Sequence, residues 1–200
     1  MRTPEEQRFQ TALRNAEEFF VGESQMQKAL DQVTATLDEL GIPYAIAGAM
    51  ALNAYGYQRV TVDVDLVLTR AGLTAFTEAG LGRGYTPGSK GVRDVAHGVD
   101  IDVLVAGDYP GDGKPKPVAF PDPGSLPAGR PHRLLPLEDL VELKLASGMT
   151  APHRLKDLAD VLELIRARRL PASFADSLNP YVREKFLELH RAAQQAPREP

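Results

Sequence analysis

The chain has 200 residues, 43% of them hydrophobic and 25% charged, with a formal net charge of -4. That balance belongs to an ordinary soluble globular protein without an overall basic field, and the lack of cysteine excludes disulfides, thiolate metal sites and cysteine nucleophiles. Its first twenty residues carry acids where a secretory signal needs an apolar stretch, and nowhere do about 18 apolar residues run together. The expectation is a cytoplasmic protein that does not engage a membrane.

Thr3-Pro4-Glu5-Glu6 opens a helix predicted over residues 4–20, with Phe9, Leu13, Ala16 and Phe20 at helical spacing. A second helix is predicted from Ser24 to Leu40, carried by Met26, Leu30, Val33 and Leu37 and stopped by Gly41 and Pro43. From Tyr44 the pattern changes. "YAIAG" reads as a strand ending at Gly48, "AMALNAY" as a short helix, and "VTVDVDLVLT" as a strand of about nine residues. A helix in "GLTAFTEAGLGRG" and two strands in "GVRDVAHGVDIDVLVAG", joined near His97-Gly98, bring the sheet to at least four strands.

Residues 107–132, rich in proline and glycine, predict a long surface loop with a short strand at Val118–Phe120. "PLEDLVELKLASG" and "APHRLKDLADVLELIRARRL" read as helices closed by Gly148 and Pro171, and "NPYVREKFLELHRAAQQ" as a last amphipathic helix. The predicted organisation is N-terminal helices over 1–40, an α/β core over 41–135 and a C-terminal helical segment over 136–195, forming one compact unit with the core. The fold class is α+β, a mixed sheet with flanking helices.

Within the acid strand, Val62-Asp63-Val64-Asp65-Leu66 alternates carboxylates with aliphatics. Residues two apart on a strand point to the same side with Cα atoms roughly 6.6 Å apart, so Asp63 and Asp65 converge on one region. A third acid on a neighbouring strand, Asp102 or Asp100 of "VDIDVLVAG", completes a set that suits Mg²⁺, or two ions roughly 3.5–4 Å apart. Asp102 stands deeper in the apolar run and is the favoured member. The alternative is a solvated sheet face, on which alternating acids are common. Gly48, at a strand-helix junction, allows close ligand approach, and the helix N-terminus after it offers N–H groups to a phosphate.

Ala47-Gly48-Ala49, thirteen intervening residues, and then Asp63-Val64-Asp65-Leu66 resemble the signature of the DNA polymerase beta-like nucleotidyltransferases. The resemblance implies a nucleotidyltransferase-like sheet with a helix between its first two strands. It also implies divalent metal on Asp63, Asp65 and Asp102, and an NTP as substrate. The second small residue, Gly or Ser in much of that family, is Ala49 here, so backbone donation remains without a hydroxyl contact. The segment "LEDLVELKLASGMTAPHRLKDLADVLELI" is similar to the helical part of the AbiEii-like toxin nucleotidyltransferases, on Lys144, Arg154, Lys156 and Asp157.

That second resemblance implies nucleotidyl transfer to a hydroxyl acceptor, with a tRNA as one acceptor and a separately encoded antitoxin as partner. It assigns nucleotide binding to Lys144, Arg154 and Asp157 and adds Lys144 to the catalytic acids; the first resemblance assigns it to Gly48 and Ala49, and Arg59, just before the acid strand, is placed to meet a phosphate. A catalytically silent nucleotidyltransferase fold that binds NTP or another protein is the alternative. Each basic residue also has a plain reading. Lys144 can be a lysine snorkelling at a helix edge, and Arg154, Lys156 and Asp157 a capping and surface-charge cluster. Arg59 and Thr61 carry the same ambiguity. An RNA acceptor calls for an exposed basic surface, for which Arg130, His132, Arg133, Arg166, Arg168 and Arg169 are the candidates. His97, His132, His153 and His190 read as structural or surface residues.

Overall fold

Side chains alternate between the two faces of a strand, so the position of each apolar residue fixes which layer it joins. The computed structural model describes residues 25–126 and 133–195. The helix expected over 4–20, together with Arg130 and His132, lies outside the described residues. A helix over residues 25–39 (α1) leads into strand Tyr44–Ile46 (β1), helix Gly48–Ala54 (α2) and strand Asp63–Leu68 (β2). Helix Arg70–Gly80 (α3) precedes strands Tyr85–Pro87 (β3), Gly91–Asp94 (β4) and Val99–Val105 (β5). Helices Leu137–Thr150 (α4), Leu155–Arg168 (α5) and Pro180–Gln195 (α6) follow.

The sheet is mixed, in the order β1-β2-β5-β4-β3, with β2 and β5 parallel and every other pair antiparallel. Helices cover both faces, as an α+β fold with flanking helices requires. One core gathers Tyr44, Ile46, Val64, Leu66, Leu68, Val99 and Ile101 against α1 and against Phe76 of α3. The other gathers Ala45 and Val67 against Leu52 of α2 and the buried leucines and valines of α4, α5 and α6. Asp63, Asp65 and Val67 share this second face by alternation. So do Asp100, Asp102 and Leu104. The acids therefore lie at one end of the face that the C-terminal helices cover.

Local chemistry sets the element ends. Thr69 caps α3 by accepting from the Gly72 amide at 2.9 Å, and Glu138 and Asp139 complement the dipole in the first turn of α4. Four departures from the sequence expectation have physical causes. The strand expected from Val60 begins only at Asp63, because β5 pairs from Asp63 onward and β1 reaches only Leu66, which leaves Val60 and Val62 exposed. Strand β3 was not expected. Gly148 does not stop α4, which runs on to Thr150. It is a packing glycine instead, since a β-carbon there would stand 2.5 Å from Leu158 Cγ of α5.

The fourth departure lies within the proline-rich segment, whose described residues form the largely exposed loop expected, pinned to the core at buried Pro110, Val118 and Pro123, but without the short strand. Val118 is buried, the Gly107 amide donates to the Phe120 carbonyl at 2.8 Å, and the Phe120 amide donates to Asp108 at 3.0 Å. No strand forms at Val118–Phe120, and a single 3-10 turn follows at Pro123–Ser125. No helix among the described residues is long and apolar enough to cross a membrane.

Candidate active site

The parallel register of β2 and β5 sets Asp65 opposite Asp102 and Asp63 opposite Asp100. Beneath this end of the sheet is a cavity of about 460 Å³ whose wall includes Asp63, Asp65 and Asp102. Asp100 does not line it. That side chain is half exposed and paired with Arg93 at 2.8 Å. Burial first, and then the neighbouring carboxylates of Asp63 and Asp102, raise the Asp65 carboxyl to a pKa of about 6; Lys144 and Lys90 offset part of the rise. This wall is a concentration of like charge that the surrounding residues only partly neutralise.

Asp63 accepts from the Thr61 hydroxyl at 2.5 Å. Asp102 is 3.3 Å from the Lys90 ammonium. Gly48 opens α2 with φ of 57°, a conformation that suits glycine, and any β-carbon there would overlap the Asp65 carboxylate. Its lack of a side chain thus lets Asp65 reach the cavity. Ala47, at the cap of α2, makes no side-chain cap bond, and Ala49 joins Gly48 in the lining.

The opposite wall comes from α4 and α5. Lys144 is buried and donates to Asp157 at 3.0 Å and to Asp160 at 2.7 Å. Asp157 also accepts from the Ser147 hydroxyl at 2.6 Å and from Arg154 Nε at 2.8 Å. Arg59 crosses from the segment before β2 to meet Asp160 at 2.6 Å, while Asn53 holds the Arg59 backbone through both its amide and its carbonyl. Burial alone would push the Asp157 carboxyl up, but Lys144, Ser147 and Arg154 outweigh it and hold the group below its ordinary value. Three cations and two carboxylates thus form one connected lattice.

All the sequence-predicted site residues, namely Gly48, Ala49, Arg59, Asp63, Asp65, Asp102, Lys144, Arg154 and Asp157, line this one cavity. The Lys144 charge, expected to face phosphates, is shared between two buried carboxylates. Asp160 and Ser147 complete the lattice, and neither was given a role from sequence. Lys156 and His153, both exposed, also line the cavity, so His153 is the surface residue expected but stands at the cavity's edge. Lys90, Tyr109 and Phe120 were missed. Nothing in their local sequence marks them, because long-range chain reversals bring them to the wall.

Among the described residues, no three His, Cys, Asp or Glu side chains stand close enough together to form a ready metal cluster. Mg²⁺ asks for less. It is commonly held by one or two carboxylates, with water and substrate phosphates filling the remaining positions. Asp65 and Asp102, adjacent in register and backed by Asp63, present hard oxygen donors of that kind, and among the described residues Lys90 is the one cation within ion-pair distance of them. The residues fit such an ion in that mode.

No protein-family model matches the chain, and no curated protein does. Solved structures similar to it include two of ANT(2'')-Ia. The solution structure of the antibiotic-resistance factor ANT(2'')-Ia is 20% identical with a TM-score of 0.44, over 86% of this chain and 94% of that one. The crystal structure of ANT(2'')-Ia in complex with adenylyl-2''-tobramycin is 17% identical with a TM-score of 0.44, over 84% of this chain and 95% of that one. At these scores neither likeness transfers a residue role to this chain.

Proposed function

We propose that this chain is a Mg²⁺-dependent nucleotidyltransferase that moves a nucleotidyl group from an NTP to a hydroxyl acceptor. The observation that carries the reading is the convergence of Asp63, Asp65 and Asp102, from two adjacent parallel strands, on a cavity whose far wall is cationic. In the reaction the acceptor oxygen bonds to the α-phosphorus, the bond to the oxygen bridging to the β-phosphorus breaks, and pyrophosphate leaves. Asp65 and Asp102, backed by Asp63, would hold Mg²⁺ together with water and substrate phosphates, and the ion would supply charge compensation at the transferring phosphoryl group.

Asp102 also takes up the acceptor's proton in this reading. Arg59, Arg154 and Lys156 face the cavity and offset phosphate charge, while Lys144 holds Asp157 and Asp160 so that Arg59 and Arg154 are fixed in place. Gly48 leaves room for Asp65 and for the triphosphate. The finer form of the proposal, a toxin acting on tRNA and paired with an antitoxin, rests on the AbiEii-like segment from Lys144 to Asp157.

The test is incubation of purified protein with Mg²⁺ and each labelled NTP, alone, with total tRNA and with small polyhydroxyl acceptors, beside an Asp63→Ala control. Mg²⁺-dependent label transfer that the control lacks supports the reading, and the labelled species identifies the acceptor. Mg²⁺-dependent NTP binding without transfer would mean the silent fold. Absence of both would overturn the proposal.

A further inference from the structure

Among the described residues, Lys90 is the one cation within ion-pair distance of the Asp63, Asp65 and Asp102 carboxylates, at 3.3 Å from Asp102. The cations of the opposite wall are engaged elsewhere: Lys144 with Asp157 and Asp160, Arg59 with Asp160, and Arg154 with Asp157. Lys90 ends the tight turn between β3 and β4. The backbone of that turn is pinned where it meets β5.

Its carbonyl accepts from the Val103 amide at 3.0 Å, and the Gly88 amide closes the turn on the Gly91 carbonyl at 3.0 Å. Gly91 itself stands opposite Asp102 in the β4–β5 register. A β-carbon at Gly91 would overlap the Ile101 carbonyl, so only glycine lets the turn come this close. The backbone is therefore fixed beside Asp102. The side chain is 69% exposed and reaches the site through its ammonium.

From this geometry we infer that Lys90 is a built-in competitor of the metal: its ammonium neutralises Asp102 when no divalent cation is bound, and must swing out before one can enter. The inference rests on the proposed metal-dependent reading of the site. Its consequence is a metal affinity set low in the free protein, so that loading waits for a nucleotide that brings its own cation and phosphate charge. An exposed pair of this kind is worth on the order of 1 kcal/mol, which corresponds to roughly fivefold in affinity.

The probe is Mn²⁺ alone, with binding followed by its electron paramagnetic resonance signal on the full chain without nucleotide. Lys90→Gln should tighten Mn²⁺ binding roughly fivefold, whereas Lys90→Arg, which keeps the charge, should stay near the parent protein. Lys28→Gln, an exposed residue of α1 packed on the other face of the sheet, should change it by less than about twofold. In an Asp102→Asn background the gain from Lys90→Gln should vanish, because the partner is gone.

Equal affinities for the parent and Lys90→Gln would overturn the inference and leave the metal reading intact. So would an equal gain from Lys28→Gln or from Lys90→Arg, or a gain that persists in the Asp102→Asn background. Absence of Mn²⁺ binding in every variant would remove the metal reading and the inference together.

Discussion

The two walls of the cavity solve the same problem, charge under cover, in opposite ways. On the helical wall each carboxylate has its cations within hydrogen-bonding distance: Asp157 has Lys144 and Arg154, and Asp160 has Lys144 and Arg59. On the sheet wall three acids face one cavity with, among the described residues, a single exposed lysine in ion-pair contact with one of them. A satisfied buried network holds structure, whereas an under-compensated one is a demand for a ligand. On the proposed function, the strand acids hold the metal, while the buried Lys144–Asp157–Asp160 lattice is the scaffold that positions Arg59 and Arg154, so substitutions of the strand acids and of Lys144 should fail in different assays.

The largest expected effect is on activity. Asp63→Ala or Asp102→Asn should lower nucleotidyl transfer on the order of a thousandfold, with circular dichroism and thermal midpoint close to the parent's. Lys144→Met should do the reverse in kind, costing about 3–5 kcal/mol of stability in urea unfolding, because two buried carboxylates lose their shared cation. A stable Lys144→Met protein that had lost only activity would merge the two walls into one functional unit.

Asp65 gives the next test, and its sign is definite. Its folded pKa of about 6 lies above the ordinary carboxylate value, so the fold prefers the protonated form. The stability associated with that preference is fully present below about pH 4 and is lost as the pH rises through about 6. Asp65→Asn, which mimics the protonated state, should unfold like the parent at pH 4 and be more stable at pH 8, by at most about 3 kcal/mol. Mg²⁺ should shrink the gap at pH 8 by stabilising the parent alone. A variant that is less stable at pH 8 would mean that Asp65 is already satisfied within the fold.

How much of this was legible in the sequence follows from the range of the interactions. The period-two alternation of Asp63, Asp65 and Val67 is local, so the strand, its wet end and the acid pair could be read directly. Asp102 could be preferred over Asp100 from its apolar neighbours, and of the two only Asp102 lines the cavity. Strand β3 escaped because three residues including Pro87 leave no periodicity to detect. Val60 and Val62 misled because β-branching signals a strand only where a partner strand is present to pair. Gly148 has a terminator's composition, and its packing role depends on Leu158, on the next helix. Lys144 read as a phosphate cation since its partners lie 13 and 16 residues away, and only folding brings them within 3.0 and 2.7 Å.

The smallest effect concerns the acid left outside the cavity. Asp100 shares Asp102's strand and face, yet it is half exposed and paired with Arg93 across the β4–β5 ladder. An exposed pair in water gains little, since solvent screens the attraction and ordering two side chains costs entropy; such pairs typically contribute 0.2–1 kcal/mol. Arg93→Ala should therefore cost no more than about 0.5 kcal/mol in urea unfolding, and Asp100→Asn should leave nucleotidyl transfer within about twofold of the parent. The comparison with Asp102→Asn is the sharpest available, because the two acids are two residues apart on one strand and differ mainly in what they face. A loss of activity in Asp100→Asn as large as that in Asp102→Asn would show that the catalytic carboxylates extend beyond the cavity wall to the whole acid face of the sheet.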